Sequence, residues 1–449
     1  MNEDVYTTTE KTTVGLPVAI TLVMGSIVGS GIFGMPSAMA KYGPLSLVAF
    51  AIVTFGAICL AWTFSILSKR HTRSGGEYIF AQEAFGNFAG FLTAWCAWIS
   101  SWVASAAVVS ALVGYVEVFV NKNHSHLGSI VIGLLALWLP ALIVLSGIQN
   151  MSKAQVLFSV LKYAPILILA IFGIFNMKFA NFGSFNPSGE GTFEALMGAS
   201  SICIYSYLGV EAVSAAAGRV RDPKKNVPKA TMWGILFTAA LYFLAIVGVM
   251  GTVPHNQLVK STSPFADSAN NIFGGQWAGE FIAVVAVLSC FGLLVGWTLV
   301  TAEVPAAAAM DKVFPQSFAR MNSKNIPAFG VIISTVLASI LLVFSYTQFQ
   351  QVFLTMVLFA VVCTVLPYIF TACAQLYWYV KQAANGTKGP GYGKNLTIVC
   401  IAILFAFWAV IGAGEEAVYF GAICMLVGIP IYAYMHKNIR DDETIQDQR

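Results

Sequence analysis

Apolar runs long enough to cross a lipid bilayer recur from one end of this chain to the other, separated by short polar loops. A crossing helix needs about 20 predominantly apolar residues. The sequence offers twelve such runs, near 15–38, 43–68, 84–119, 127–147, 154–177, 194–217, 229–252, 278–309, 328–346, 350–379, 395–413 and 417–435. Only 10% of the 449 residues are charged and 58% are hydrophobic, too little polar surface for a water-soluble domain. Polar tails are expected at 1–14 and 436–449, with cytoplasmic connections at 219–229 and 381–394. The first run is too long for a cleavable leader and lacks a basic n-region, so it reads as the first span.

Basic residues test this count. With the N-terminus inside, 19 of the 24 Lys and Arg residues fall in cytoplasmic loops and tails. Only Lys41, Lys122, Lys178 and Lys260 fall outside, and Lys162 lies within a span. That asymmetry fits twelve crossings with both termini cytoplasmic, because one missed span would reverse every later loop. The net charge of +4 is spread over these loops with no aromatic binding surface beside it, which excludes a nucleic-acid partner. All eight cysteines fall within the proposed spans and read as free thiols packing like small hydrophobes. The histidines are scattered, so no metal or cofactor is expected.

The first span carries Gly25-Ser26-Ile27-Val28-Gly29-Ser30-Gly31, three glycines and two serines where a membrane helix should be continuous. Unwound backbone is tolerated in hydrocarbon only where protein or a wet cavity satisfies its polar groups. Five spans later, Ile204-Tyr205-Ser206-Tyr207-Leu208-Gly209-Val210-Glu211 interrupts another apolar run. Breaks in spans one and six, which cross in opposite directions, point to a five-plus-five inverted repeat. Two parallel six-span halves would instead match span one with span seven, and Thr231 to Gly251 has no comparable break. The expected fold is therefore all-α, with a first repeat over 15–177, a second over 194–380 and two added helices within 395–435.

The breaks have a direct chemical use. The exposed N–H groups at the start of the second half-helix can receive a carboxylate. Ser26, Gly29, Ser30, Gly31 and Ile32 are the candidate lining, with glycine allowing close approach and serine adding hydroxyl bonds. In span six, freed carbonyls from Cys203 to Leu208 can accept bonds from an α-ammonium. Gly25 and Gly29 also satisfy a Gly-x-x-x-Gly packing seam, the alternative use of the same glycines. Glu211 is costly as a mid-membrane carboxylate, which favours its neutral form and suits proton coupling; the alternative is a buried carboxylate that braces helix ends.

Gly29-Ser30-Gly31-Ile32-Phe33, Ser74-Gly75-Gly76-Glu77-Tyr78, Gly209-Val210-Glu211, Asp222-Pro223-Lys224-Lys225-Asn226-Val227-Pro228, Gly296-Trp297-Thr298 and Phe314-Pro315 stand in one order along the chain. This ordered set resembles the amino acid-polyamine-organocation (APC) superfamily. Within it the chain looks most like the bacterial basic amino acid/polyamine antiporters, including the arginine/agmatine, lysine/cadaverine and ornithine/putrescine exchangers. The resemblance implies a LeuT-like fold of twelve transmembrane helices in a bacterial inner membrane, often as a homodimer. It implies no enzyme activity, and the sequence has no nucleophile elbow, phosphate loop or compact acid-base set that a membrane enzyme would need.

The same resemblance implies roles for individual residues. Trp297 matches a tryptophan that packs on the substrate and limits passage; Tyr205 stands where relatives commonly carry Trp. Tyr78 is a candidate cytoplasmic gate. Lys162 matches a fifth-helix lysine that replaces sodium in proton-coupled relatives, although a snorkelling lysine would look the same. Ser105, with Ser100 and Ser101 nearby, falls by the distal side-chain pocket, as does Ala360 on the tenth span. The implied activity is proton-linked exchange of a cationic amino acid for its decarboxylation product, with proton-coupled amino acid uptake as the alternative. Its partners would be an amino acid or polyamine, protons and the lipid bilayer.

Overall fold

The structure is a computed structural model, described here for residues 15–29, 31–70, 76–147, 163–209, 220–348, 352–389 and 391–447. Helices account for its regular structure: α1 (Leu16–Ile27), α2 (Gly31–Ala40), α3 (Leu45–Arg70), α4 (Glu77–Phe85), α5 (Asn87–Val116), α6 (His126–Ser146), α7 (Tyr163–Phe175) and α8 (Thr192–Tyr205). They continue with α9 (Pro223–Thr252), the single turn α10 (His255–Leu258), α11 (Pro264–Phe273), α12 (Gln276–Met310), α13 (Ala328–Gln348), α14 (Val352–Ala384), α15 (Tyr392–Gly412) and α16 (Glu415–Asp447). Nine of them are long and apolar enough to cross a membrane among the described residues. Of the three other expected runs, 15–38 is divided between α1 and α2, 194–217 leaves helix after Tyr205, and 154–162 lies outside the described residues.

Packing sorts these helices from centre to periphery. The span window of α5 is 89% buried, against 22% for α15 and 11% for α16. Helix α5 packs on α14 and α12, while α1 lies along α9, which also contacts α3 and α7. The outer helices turn Leu404, Ile411, Ile423 and Leu426 outward, each more than half exposed. Apolar side chains in that position have no water-soluble use and meet lipid.

Several boundaries differ from the sequence expectation. The run at 84–119 is the single span α5, starting at Asn87 because Gly86 takes φ +90° and so ends the short α4 and starts α5. Tyr78 sits in the first turn of α4. Helix α9 begins at Pro223, inside the expected 219–229 connection, since proline fits a first helical turn that has no N–H partner to lose. The 381–394 connection is shortened because α14 runs on to Ala384. The interval 253–277, with no span assigned, contains α10 and α11. At the end, α16 continues to Asp447, so the expected tail from His436 prolongs a helix whose last turns are polar.

Candidate functional site

Helix α1 stops at Ile27 and α2 starts at Gly31, and tyrosines from distant helices take up the backbone between and beyond them. The fully buried Tyr242 of α9 donates its hydroxyl to the Ile27 carbonyl at 3.0 Å. Its oxygen in turn accepts from the Gly29 N–H. Tyr115 of α5 donates to the Phe33 carbonyl at 2.9 Å and accepts from the Phe265 N–H of α11 at 3.3 Å. Protein side chains thus supply the partners that unwound backbone needs away from water.

Gly29 and Gly31 open onto a cavity. Ile27 forms its near edge, Ala104 and Val108 of α5 form one wall, Leu293 and Trp297 of α12 another, and Tyr205 and Leu208 close it from the end of α8. Its volume is about 40 Å³. At about 10–15 Å³ per water this holds about three or four waters. An amino acid needs the walls to separate. Both glycines are closely approached: a Cβ on Gly29 would fall 2.8 Å from Leu293 Cδ2, and one on Gly31 3.1 Å from the Tyr205 ring.

Aromatic groups hold the far side. The Trp297 indole N–H donates to the Ser101 carbonyl of α5 at 3.1 Å, fixing the ring against the wall. Tyr205 packs edge-to-face on Phe353 of α14, with ring centroids 6.2 Å apart. The Phe353 ring lies 2.7 Å from where a Cβ on Gly34 would stand, so a third glycine of this segment is also in close contact. The Ser206 hydroxyl lies 3.1 Å from Met35 Sδ, tying the end of α8 to α2.

The sequence candidates divide accordingly. Gly29, Gly31, Tyr205 and Trp297 share the cavity. Ile32 is fully buried in the core and is not part of its wall. The Cys203 thiol turns to the Ser46 carbonyl of α3, 3.9 Å away, so its side chain faces a neighbouring helix instead. The carbonyls of Cys203, Ile204 and Tyr205 are not left open either: they accept the N–H groups of Ser206, Tyr207 and Leu208 at 2.9–3.3 Å as the helix tightens at its end. Ser105 bonds back to the Ser101 carbonyl at 3.0 Å, and Ala104 takes the wall position beside it. Ala360 is fully buried with its carbonyl bonded to the Thr364 hydroxyl, while Phe353 is the α14 residue that packs on Tyr205. Ser30, Lys162 and Glu211 lie outside the described residues, as does the side chain of Ser26.

Tyr78 stands apart from the cavity. It is almost fully buried, and its hydroxyl donates at 3.0 Å to Asp311, which follows the end of α12. Burial, with the Asp311 charge adding to it, pushes its phenol upward from the ordinary value, so the group stays a donor. Tyr242, Tyr115, Leu293 and Phe353 were not singled out from sequence. A tyrosine hydroxyl's need for a partner inside an apolar helix was the only available signal for the first two.

The sequence profile of the amino acid permease family matches residues 14–430. The chain is 28% identical over 418 residues to the putrescine transporter PotE of Haemophilus influenzae, covering 92% of this chain and 95% of that protein. It is 26% identical over 415 residues to the Escherichia coli K12 putrescine transporter PotE, covering 92% and 93%. With the arginine/ornithine antiporter of Latilactobacillus sakei the identity is 27% over 440 residues, covering 95% and 90%.

Proposed function

The chain belongs to the amino acid permease family of the APC superfamily, and on that footing we propose that it is a secondary active transporter exchanging amino acids or related amines across a bacterial cytoplasmic membrane. The observation that carries this reading is the cavity itself. It joins two glycines of an interrupted helix to Tyr205 and Trp297, and it lies where four separate segments meet. Relatives named as a putrescine transporter and an arginine/ornithine antiporter support an amine-bearing substrate.

In this reading twelve spans form a LeuT-like core, with repeats over 15–177 and 194–380, helices α15 and α16 outside them, and both termini cytoplasmic. The N–H groups at the start of α2 receive the substrate carboxylate, helped by Ser26 and Ser30. The aromatic faces of Trp297 and Tyr205 attract its cationic part and cover it. Glu211 changes protonation as the site alternates between the two faces, and Lys162 holds the first and eighth spans together through their carbonyls. The Tyr78–Asp311 contact joins α4 to the end of α12 and opens when the cytoplasmic path opens. The exchange is proton-linked, a cationic amino acid for its decarboxylation product.

One observation favours proton-coupled uptake of a neutral amino acid as the second reading: no side chain among the described cavity residues is charged. Liposomes reconstituted with the protein separate the two. Uptake of labelled arginine, ornithine or putrescine that requires internal substrate supports exchange. Concentrative uptake into empty vesicles under an imposed proton gradient supports the second reading and removes the first.

A further inference from the structure

A second cavity, of about 200 Å³, lies between the end of α3 (Ile66), the end of α14 (Gln375, Tyr379, Gln382) and the start of α15 (Tyr392, Asn395). It shares no residue with the glycine cavity. Gln375 is 3% exposed and lines this space, yet its side-chain amide has no hydrogen-bond partner among the described residues. Asn395 accepts the Trp62 indole N–H on its oxygen at 3.0 Å, which leaves its amide donors for another group. The Tyr392 hydroxyl is already committed to the Tyr379 carbonyl at 3.2 Å. The walls hold unused amide donors and no carboxylate.

Three exposed lysines stand next in sequence to lining residues: Lys381 beside Gln382, Lys388 beside Gly389 and Lys394 beside Asn395. Lys388 sits 5.4 Å from the Tyr392 ring centroid, Lys394 5.5 Å from Trp62, and Lys381 5.5 Å from Trp378. Helix α15 starts at Tyr392, adding the positive end of its dipole. Neutral amide donors, one of them buried, close to these lysines match an acceptor-rich anion. We propose that this cavity binds a phosphate group, carried by an acidic lipid headgroup or present as free inorganic phosphate. The site stands independently of the transport reading.

The test uses the full chain in nanodiscs of phosphatidylcholine, with and without phosphatidylglycerol, and counts retained lipid by native mass spectrometry. Inorganic phosphate is titrated separately into phosphatidylcholine discs and followed by phosphorus NMR. The wild type should retain phosphatidylglycerol selectively or bind phosphate, and that outcome names the source. Each lysine near an anionic lipid surface is worth about fivefold, so Lys388→Ala with Lys394→Ala should lose roughly 25-fold. Gln375→Leu, which changes no charge, should also lose the selectivity while thermal stability in phosphatidylcholine discs is kept. Retention that falls in the lysine variant but not in Gln375→Leu would mean diffuse surface attraction and would overturn the site. So would binding of neither probe by the wild type.

Discussion

Replacing Tyr242 by Phe removes one oxygen and leaves the ring, so any effect belongs to the hydroxyl. That oxygen serves two backbone groups at once, the Ile27 carbonyl at 3.0 Å and the Gly29 N–H, on either side of the gap between α1 and α2. Without it the Ile27 carbonyl loses this partner in a buried position and the Gly29 N–H is left facing the cavity. A stranded buried group costs about 1–3 kcal/mol, whereas interhelical hydrogen bonds measured inside membranes average about 0.6 kcal/mol. For two groups the expected loss is therefore about 1–3 kcal/mol, the lower measured value setting the floor and partial relaxation of the backbone limiting the ceiling. If the bonds hold the segment in its binding form, substrate affinity should fall by about 5-fold to 140-fold, since each 1.4 kcal/mol is tenfold.

Equilibrium binding of labelled substrate to purified protein reads this directly, with the thermal midpoint measured on the same samples. Tyr419→Phe on the exposed face of α16 is the control, and it should change neither quantity. If Tyr242→Phe leaves both affinity and midpoint within about 0.5 kcal/mol of wild type, the range of a neutral surface substitution, the hydroxyl does not hold the break.

Other substitutions probe the cavity walls and the gate. Gly31→Ala should gain about 0.5–1 kcal/mol in helix propensity but lose about 1–3 kcal/mol by crowding the Tyr205 ring, so its net effect should be weaker binding. A rise in both stability and affinity would show that the close approach is not used. Ser105→Ala should leave the substrate profile unchanged, because its hydroxyl bonds within its own helix, while Ala104→Val should shift that profile toward smaller substrates in competition assays; the reverse pattern would exchange the two positions. Tyr78→Phe should alter the transport rate equally from pH 5 to pH 8, since burial raises the phenol from an ordinary value of about 10 and keeps it protonated throughout. Glu211→Gln should instead flatten the pH profile of transport; an unchanged profile would remove it from proton coupling.

How far these positions were readable depended on where their signal lies along the chain. The gap between α1 and α2 is local, written in Gly29-Ser30-Gly31 within one apolar run, and the chain leaves helix there. The end of α8 at Tyr205 was readable for the same reason. The groups that satisfy the gap were not, because Tyr242 and Tyr115 come from helices that neighbour it only after folding. Ser105 is placed at the pocket by the resemblance alone, yet Ala104 takes the wall position, and successive residues on a helix differ by about 100° in direction. Helix α5 is buried on nearly all sides, so it has no polar face from which to set that rotation. Gly86 sets the start of α5 just inside one expected span because an apolar run conceals a left-handed glycine, and the polar end of α16 looked like a tail because a solvated helix and a coil share composition.

Tyr115 is bonded at once to Phe33 in α2 and to Phe265 in α11, and the Phe33 ring packs edge-to-face on both partner rings. Helix α11 is therefore tied to α2 through one hydroxyl and one ring contact. Any swing of it must carry the first turn of α2 along or sever the Phe265 bond. A spin-label pair placed on α11 and α2 would move as one body if the hydroxyl holds, and as two once Tyr115 is replaced by Phe.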